Sequence, residues 1–179
     1  MEENQRREKL QAIFQKEGKR LYHLAYRLSG NEADAQDIVQ EVFMKVFDRM
    51  ERFEGRAEIF TYLYRIAFNL WCNMLRKRKK WFSFDPGQLE VYLSSRADSD
   101  FPGKQMGERQ KKVELVRSAL ERLAPQERFI VVLRDIEEHS YHEISEILKC
   151  RPGTVKSRLA RAREKLRIIL EPYLGKNYE

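Results

Sequence analysis

The chain has 179 residues, of which 35 are Lys or Arg and 28 Asp or Glu, for a net charge of +7. At 42% hydrophobic residues it can build modest cores but not one large one, so one domain or two small ones are expected. No segment nears the roughly 18 apolar residues of a membrane span, and MEENQRREKL lacks an apolar signal core, so a cytoplasmic protein is expected.

Apolar residues recur at three- and four-residue intervals over about 6–28, 31–52 and 59–80, predicting three helices. In the second, Ala35, Ile38, Val39, Val42, Phe43 and Val46 form an apolar stripe, with Asp34, Asp37, Gln40 and Glu41 on the opposite side. Those carboxylates suit a solvated face, a protein partner or, less well, a divalent metal, because no His, Gly-rich loop or nucleophile accompanies them.

The segment that follows mixes Phe53, Phe60, Tyr62, Tyr64, Phe68, Trp71, Trp81 and Phe82 with Arg56, Arg65 and the run Arg76 to Lys80. Leu63, Ile66, Ala67, Leu70 and Met74 supply its core side, leaving aromatics with Arg65, Asn69, Asn73 and Arg76 to face outward. Rings interleaved with cations suit unstacked bases, since a ring is a sequence-tolerant stacking surface and the cations follow the backbone. The same rings also suit a core.

Residues 83–107 gather Pro, Gly and Ser and sustain no periodicity, as in a flexible linker. Fully extended, these 25 residues reach on the order of 80 Å. The apolar island LEVYL, 89–93, interrupts them.

Helices are expected next over 108–123 and 126–137, the second opened by Pro125. Ser140 and Glu143 then have the spacing of a capping box ahead of the apolar Ile144, Ile147 and Leu148, and Pro152 opens a last helix after a short turn. Residues 149–168 carry eight Lys or Arg against one acid. On this helix Val155, Leu159, Ala162 and Leu166 share the inward face, while Ser157, Ala160, Arg161 and Glu164 point outward and Lys156, Arg158 and Arg163 lie on the flanks. A capped helix, a tight turn and a basic helix make a DNA-reading helix-turn-helix, the outward residues meeting base edges and the flanking cations phosphates. Cys72 and Cys150 have no CxxC partner, and His23, His139 and His142 show no ligand spacing with them, so no metal site, cofactor or disulfide is expected. Cys150 reads as a small buried turn residue.

Taken together, the blocks DAQDIVQEVFMKVF, RFEGRAEIFTYLYRIAFNLWCNMLRKRKK and LAPQERFIVVLRDIEEHSYHEISEILKCRPGTVKSRLARAREKL resemble the extracytoplasmic-function (ECF) sigma factors of the bacterial sigma-70 family. The resemblance implies an all-α chain of two small helical domains, a region 2 bundle over 6–82 and a region 4 helix-turn-helix over 108–174, joined by the flexible linker 83–107. It implies a role in directing core RNA polymerase to promoters, with no catalytic residue of its own. Asp37, Gln40 and Glu41 fall in its polymerase-binding block, and Phe53, Phe60, Tyr62, Arg65, Asn69 and Arg76 where minus-10 bases are captured as single strand. Lys156, Ser157, Arg158, Ala160, Arg161 and Arg163 fall at the minus-35 duplex. Relatives are commonly held inactive by an anti-sigma protein, often at the inner membrane, without inserting there themselves. Tyr62 stands where the family usually has Trp, and Phe68 where it is often polar; both departures leave the implied function intact, and the exact minus-10 preference does not follow from the resemblance. Two other readings compete: a dimeric helix-turn-helix regulator, for which no dimerisation helix is evident, and a metal-dependent nuclease using Asp34, Asp37 and Glu41.

Overall fold

A computed structural model describes residues 3–50, 56–82 and 107–174. Helices α1 (Glu3–Ser29), α2 (Glu32–Asp48) and α3 (Arg56–Phe82) form the first domain, and α4 (Glu108–Glu121), α5 (Pro125–Val131), α6 (Tyr141–Leu148) and α7 (Pro152–Leu174) the second. No strand occurs among the described residues, and no helix there is long and apolar enough to cross a membrane.

Local chemistry sets the junctions. Gly30, at φ +79, turns the chain between α1 and α2, and Asn31 caps α2 by accepting from the Asp34 N–H at 2.9 Å. The first core is the buried Leu21, Leu24 and Leu28 of α1, Ile38, Val42 and Val46 of α2, and Leu63, Tyr64 and Ala67 of α3. Asp34, expected on the solvent side of α2, is instead buried; its carboxylate accepts from the Arg78 guanidinium of α3 at 2.5 Å and from the Asn31 side chain at 2.6 Å. A buried carboxylate is tolerable because a cation and a hydrogen-bond donor accompany it.

In the second domain, the helix expected over 126–137 is α5 followed by a π-helical turn, Val132–Ile136. The wider turn leaves Val132 and Leu133 buried and delivers the chain through Glu138, at φ 60, to the buried His139. Ile144 and Ile147 of α6 join Val155, Leu159 and Ala162 of α7 and Phe129 and Ile130 of α5 in this core.

The two domains are packed against each other. Arg27 at the end of α1 pairs with Glu137, and the buried Arg128 of α5 donates to the Arg27 carbonyl at 2.6 and 3.2 Å while lying 5.6 Å from the Trp71 ring of α3. Phe68 of α3 meets Phe129 with ring centroids 4.4 Å apart. Residues 51–55 and 83–106, which include Phe53, LEVYL and all but the last residue of the linker, lie outside the described residues.

Candidate nucleic-acid interface

The C-terminal reading unit follows from local rules. Ser140 Oγ accepts from the Glu143 N–H at 3.2 Å, and the Glu143 carboxylate accepts from the Ser140 N–H at 2.7 Å, completing the capping box. That backbone donor holds the Glu143 carboxyl below its ordinary range. Lys149, left-handed at φ 51, ends α6, and its N–H donates back to the Glu146 carbonyl at 3.3 Å. A non-glycine residue in this conformation costs some strain, tolerated where surrounding structure fixes the turn. Cys150, beside it, is half-buried.

On α7, Val155, Leu159 and Ala162 are buried and Leu166 half-buried, which leaves Lys156, Ser157, Ala160, Arg161 and Glu164 exposed and Arg158 at the edge. A helix with this division offers small side chains and one Arg along a face able to enter a major groove. Arg163 is exposed as well, but its guanidinium makes a bidentate contact with Asp135 at 2.5 and 3.1 Å, and this bond raises its affinity for the proton. It is a cation already neutralised, and any phosphate contact must compete with Asp135.

The N-terminal surface divides in two. Asp37, Gln40 and Glu41 are all exposed on one side of α2, with Glu41 paired to Lys45 one turn on at 3.2 Å. Across a groove of about 420 Å³ Asp37 and Glu41 face Asn73, Arg76 and Lys77 of α3. The other flank of α2 forms an apolar groove with α1, lined by Leu10, Phe14, Val39, Phe43, Met44 and Phe47. Phe14 is 53% and Met44 60% exposed, and pattern reading had singled out neither. The signal was present: Met44 lies three and four residues beyond Glu41 and Gln40, on the face those polar residues share.

The residues expected to meet unpaired bases are not all outward. Asn69 and Arg76 are exposed, Arg76 donating weakly to the Cys72 carbonyl at 3.4 Å. Tyr62 is half-buried under the Arg49 guanidinium, which lies 6.0 Å from its ring. Tyr64 and Trp71 belong to the core, and burial pushes the Tyr64 hydroxyl far above its usual range. Phe60 lies tilted against Tyr64, with ring centroids 4.4 Å apart, and against His139 of the second domain at 5.2 Å. Arg65 donates to the carbonyls of Glu146 at 2.7 Å and Ile147 at 3.1 Å, at the C-terminal end of α6. Asp34, buried with Arg78, is unavailable to a metal beside Asp37 and Glu41, so the nuclease reading loses a ligand.

A capped helix-turn-helix with a basic outer face, docked on a three-helix bundle with an acidic exposed face and an aromatic-cationic one, is the arrangement of a promoter-recognition subunit of the sigma-70 type. The family profiles for Sigma-70 region 2 and for Sigma-70, region 4 match residues 13–81 and 114–166. The chain is 35% identical over 153 residues to the ECF RNA polymerase sigma factor SigW of Bacillus subtilis, covering 83% of this chain and 81% of that one. With the ECF RNA polymerase sigma factor SigE of Mycolicibacterium smegmatis identity is 37% over 164 residues, 84% of this chain but 57% of the longer relative. With the ECF RNA polymerase sigma-E factor of Escherichia coli K12 it is 32% over 147 residues, 79% and 76% of the two chains. The chain belongs to the sigma-70 family, and within it to the ECF sigma factors. Its fold is shared by the sigma factor RpoE of Bartonella quintana, solved with the anti-sigma factor NepR, at a TM-score of 0.68 and 24% identity over 90% of this chain and 96% of that one. It is also shared by CnrH, solved with the cytosolic domain of CnrY, at 0.66 and 20% over 92% and 88%.

Proposed function

We propose that this chain is a dissociable, non-catalytic initiation factor of the bacterial cytoplasm. It binds core RNA polymerase through Asp37, Gln40 and Glu41 and seats α7 in the minus-35 major groove through Lys156, Ser157, Arg158, Ala160, Arg161 and Arg163. It captures minus-10 bases with Phe53, Phe60, Tyr62, Arg65, Asn69 and Arg76. The observation that carries the reading is the exposed Lys156, Ser157, Ala160 and Arg161 set opposite the buried Val155, Leu159 and Ala162 of α7, the helix that follows the capped α6.

Strand opening in this scheme needs no bond chemistry. Rings and cations that stack and pair with extruded bases bind the open strand more tightly than the duplex, and that difference shifts the equilibrium. Met44 and the apolar groove beside it extend the polymerase-binding face, because Gln40 belongs to both. The solved relatives seen with NepR and with the cytosolic domain of CnrY support an anti-sigma partner, which would hold the chain at the inner membrane when membrane-bound.

Run-off transcription with core polymerase on genomic fragments is the test. Discrete transcripts that require the added chain are expected. A chain that footprints promoters alone and yields no transcript with core polymerase would be a dimeric regulator instead.

A further inference from the structure

We infer that Asp135 and Glu127 limit the duplex-binding charge of α7. By pairing with Arg163 and Lys165 they confine phosphate-binding cations to the first half of the helix and hold down its affinity for DNA of arbitrary sequence. The inference deepens the assignment of α7 to the minus-35 groove and rests on it.

In sequence the stretch 149–168 is basic throughout, with eight Lys or Arg, but the structure divides them. Lys149, Arg151, Lys156, Arg158 and Arg161 have no acidic partner among the described residues. Arg163 is held by Asp135 at 2.5 and 3.1 Å, and Lys165 donates to Glu127 at 2.6 Å. Arg167 donates to Glu164 at 2.8 and 3.1 Å and lies 3.6 Å from Glu171. The boundary between free and paired cations falls between Arg161 and Arg163. The paired cations continue the rows that the free ones begin: Arg163 and Arg167 lie two and three turns beyond Lys156, and Lys165 lies one turn beyond Arg161. Without the acids, charge would run along α7 for about 16 Å, long enough to follow more than one phosphate.

Two of these acids come from outside the helix and are held in place. Asp135 sits on the π-helical turn and takes both N–H donors of one side of the Arg163 guanidinium. Glu127, on α5, is only 16% exposed and uses its second oxygen to accept from the Ala124 N–H at 3.1 Å. A carboxylate fixed and partly covered in this way binds a cation better than a mobile surface acid does. A phosphate can therefore take Arg163 or Lys165 only by displacing a carboxylate already in contact. Each cation that does meet phosphate releases a counterion, so affinity rises with their number whatever the sequence. A dissociable factor must leave bulk DNA to meet polymerase, and a shortened basic row serves that exchange.

The test is fluorescence anisotropy of a labelled mixed-sequence DNA duplex titrated with the full chain, over roughly 50 to 200 mM salt. Asp135→Asn and Glu127→Gln each remove one negative charge and keep the side-chain shape; Gln still offers an oxygen to the Ala124 N–H. Each should tighten binding roughly threefold to tenfold at about 0.1 M salt and steepen the slope of log affinity against log salt by about 0.9. Adding Arg163→Gln to Asp135→Asn should cancel the gain, which a change of fold would not do. Glu8→Gln, at an exposed position of α1, adds the same net charge away from these pairs and should leave the slope as in the wild-type chain. Lys156→Gln, which removes a free cation, should flatten it by about 0.9. An unchanged slope in either Asp135→Asn or Glu127→Gln, an equal steepening with Glu8→Gln, or a gain that persists without Arg163 overturns the inference. If Lys156→Gln still flattens the slope, the assignment of α7 to duplex DNA survives that result; if it does not, the failure lies in that assignment.

Discussion

Arg161 and Arg163 stand two positions apart on the same basic helix and are chemically distinct. Arg163 is bonded to Asp135 through two of its three guanidinium nitrogens, whereas Arg161 is exposed on the face opposite the buried Leu159. Arg161→Ala should therefore lose about 1–3 kcal/mol of discrimination at one minus-35 position, measured as the affinity difference between wild-type and single-base-changed duplexes. Equal weakening on every sequence would reduce Arg161 to a phosphate contact. On α2, Asp37→Ala should weaken core-polymerase binding while the far-ultraviolet circular dichroism stays unchanged, because Asp37 is exposed; undiminished polymerase binding would remove it from that interface. Asp34→Ala should do the reverse, destabilising the fold by stranding the half-buried Arg78. The distinction between these neighbours was not legible in the sequence: both are acids on the nominally polar side of α2, and the partner that draws Asp34 inward lies 44 residues away.

Helix α6 shows the opposite case, since its start is set by four adjacent residues and could be read directly. Removing the Ser140 hydroxyl leaves the Glu143 N–H without its acceptor, so Ser140→Ala should cost about 1 kcal/mol, seen as a fall of about 2–4 °C in the melting midpoint. A fall no larger than that of an exposed Ser→Ala elsewhere, such as at Ser157, would contradict the cap's role. The inward stripe of α7 was equally legible, because a period of 3.6 residues is a property of the helix alone. What could not be read were features fixed by distant packing: the π-helical turn after α5, the left-handed Lys149, the packing of Phe68 on Phe129, and that of the buried Tyr64 on the buried His139. An interleaved aromatic and cationic segment predicts stacking surfaces equally well for bases and for another domain. Here Phe60, Arg65 and Phe68 are used for the domain contact, and Asn69 and Arg76 remain exposed.

For the molecule as a whole, the two domains expected from the linker are present, and their mutual packing is what the linker could not reveal. His139 lies in that packing. Burial lowers its proton affinity, the nearby Glu143, Glu137 and Glu17 partly oppose this, and Arg20 of α1 reinforces it. It lies edge-on to the Tyr64 ring, 5.2 Å away. A histidine whose proton affinity is lower when covered favours the covered state above its ordinary pKa, about 6.5, and penalises that state as pH falls through this value. The radius of gyration should thus rise between pH 7.5 and 5.5, and His139→Gln should flatten the dependence. A profile unchanged by that substitution would exclude His139 as the titrating group.

All of these scales meet in promoter-directed initiation, where the proposed scheme has α2 hold polymerase while α7 and α3 each hold DNA. Reconstituted run-off transcription with core polymerase, comparing the wild-type chain with Asp37→Ala and Arg161→Ala, tests this most directly. The account predicts discrete transcripts that depend on the wild-type chain, reduced at every promoter by Asp37→Ala and reduced or redirected among promoters by Arg161→Ala. Transcripts of unchanged amount and origin with both variants would contradict it.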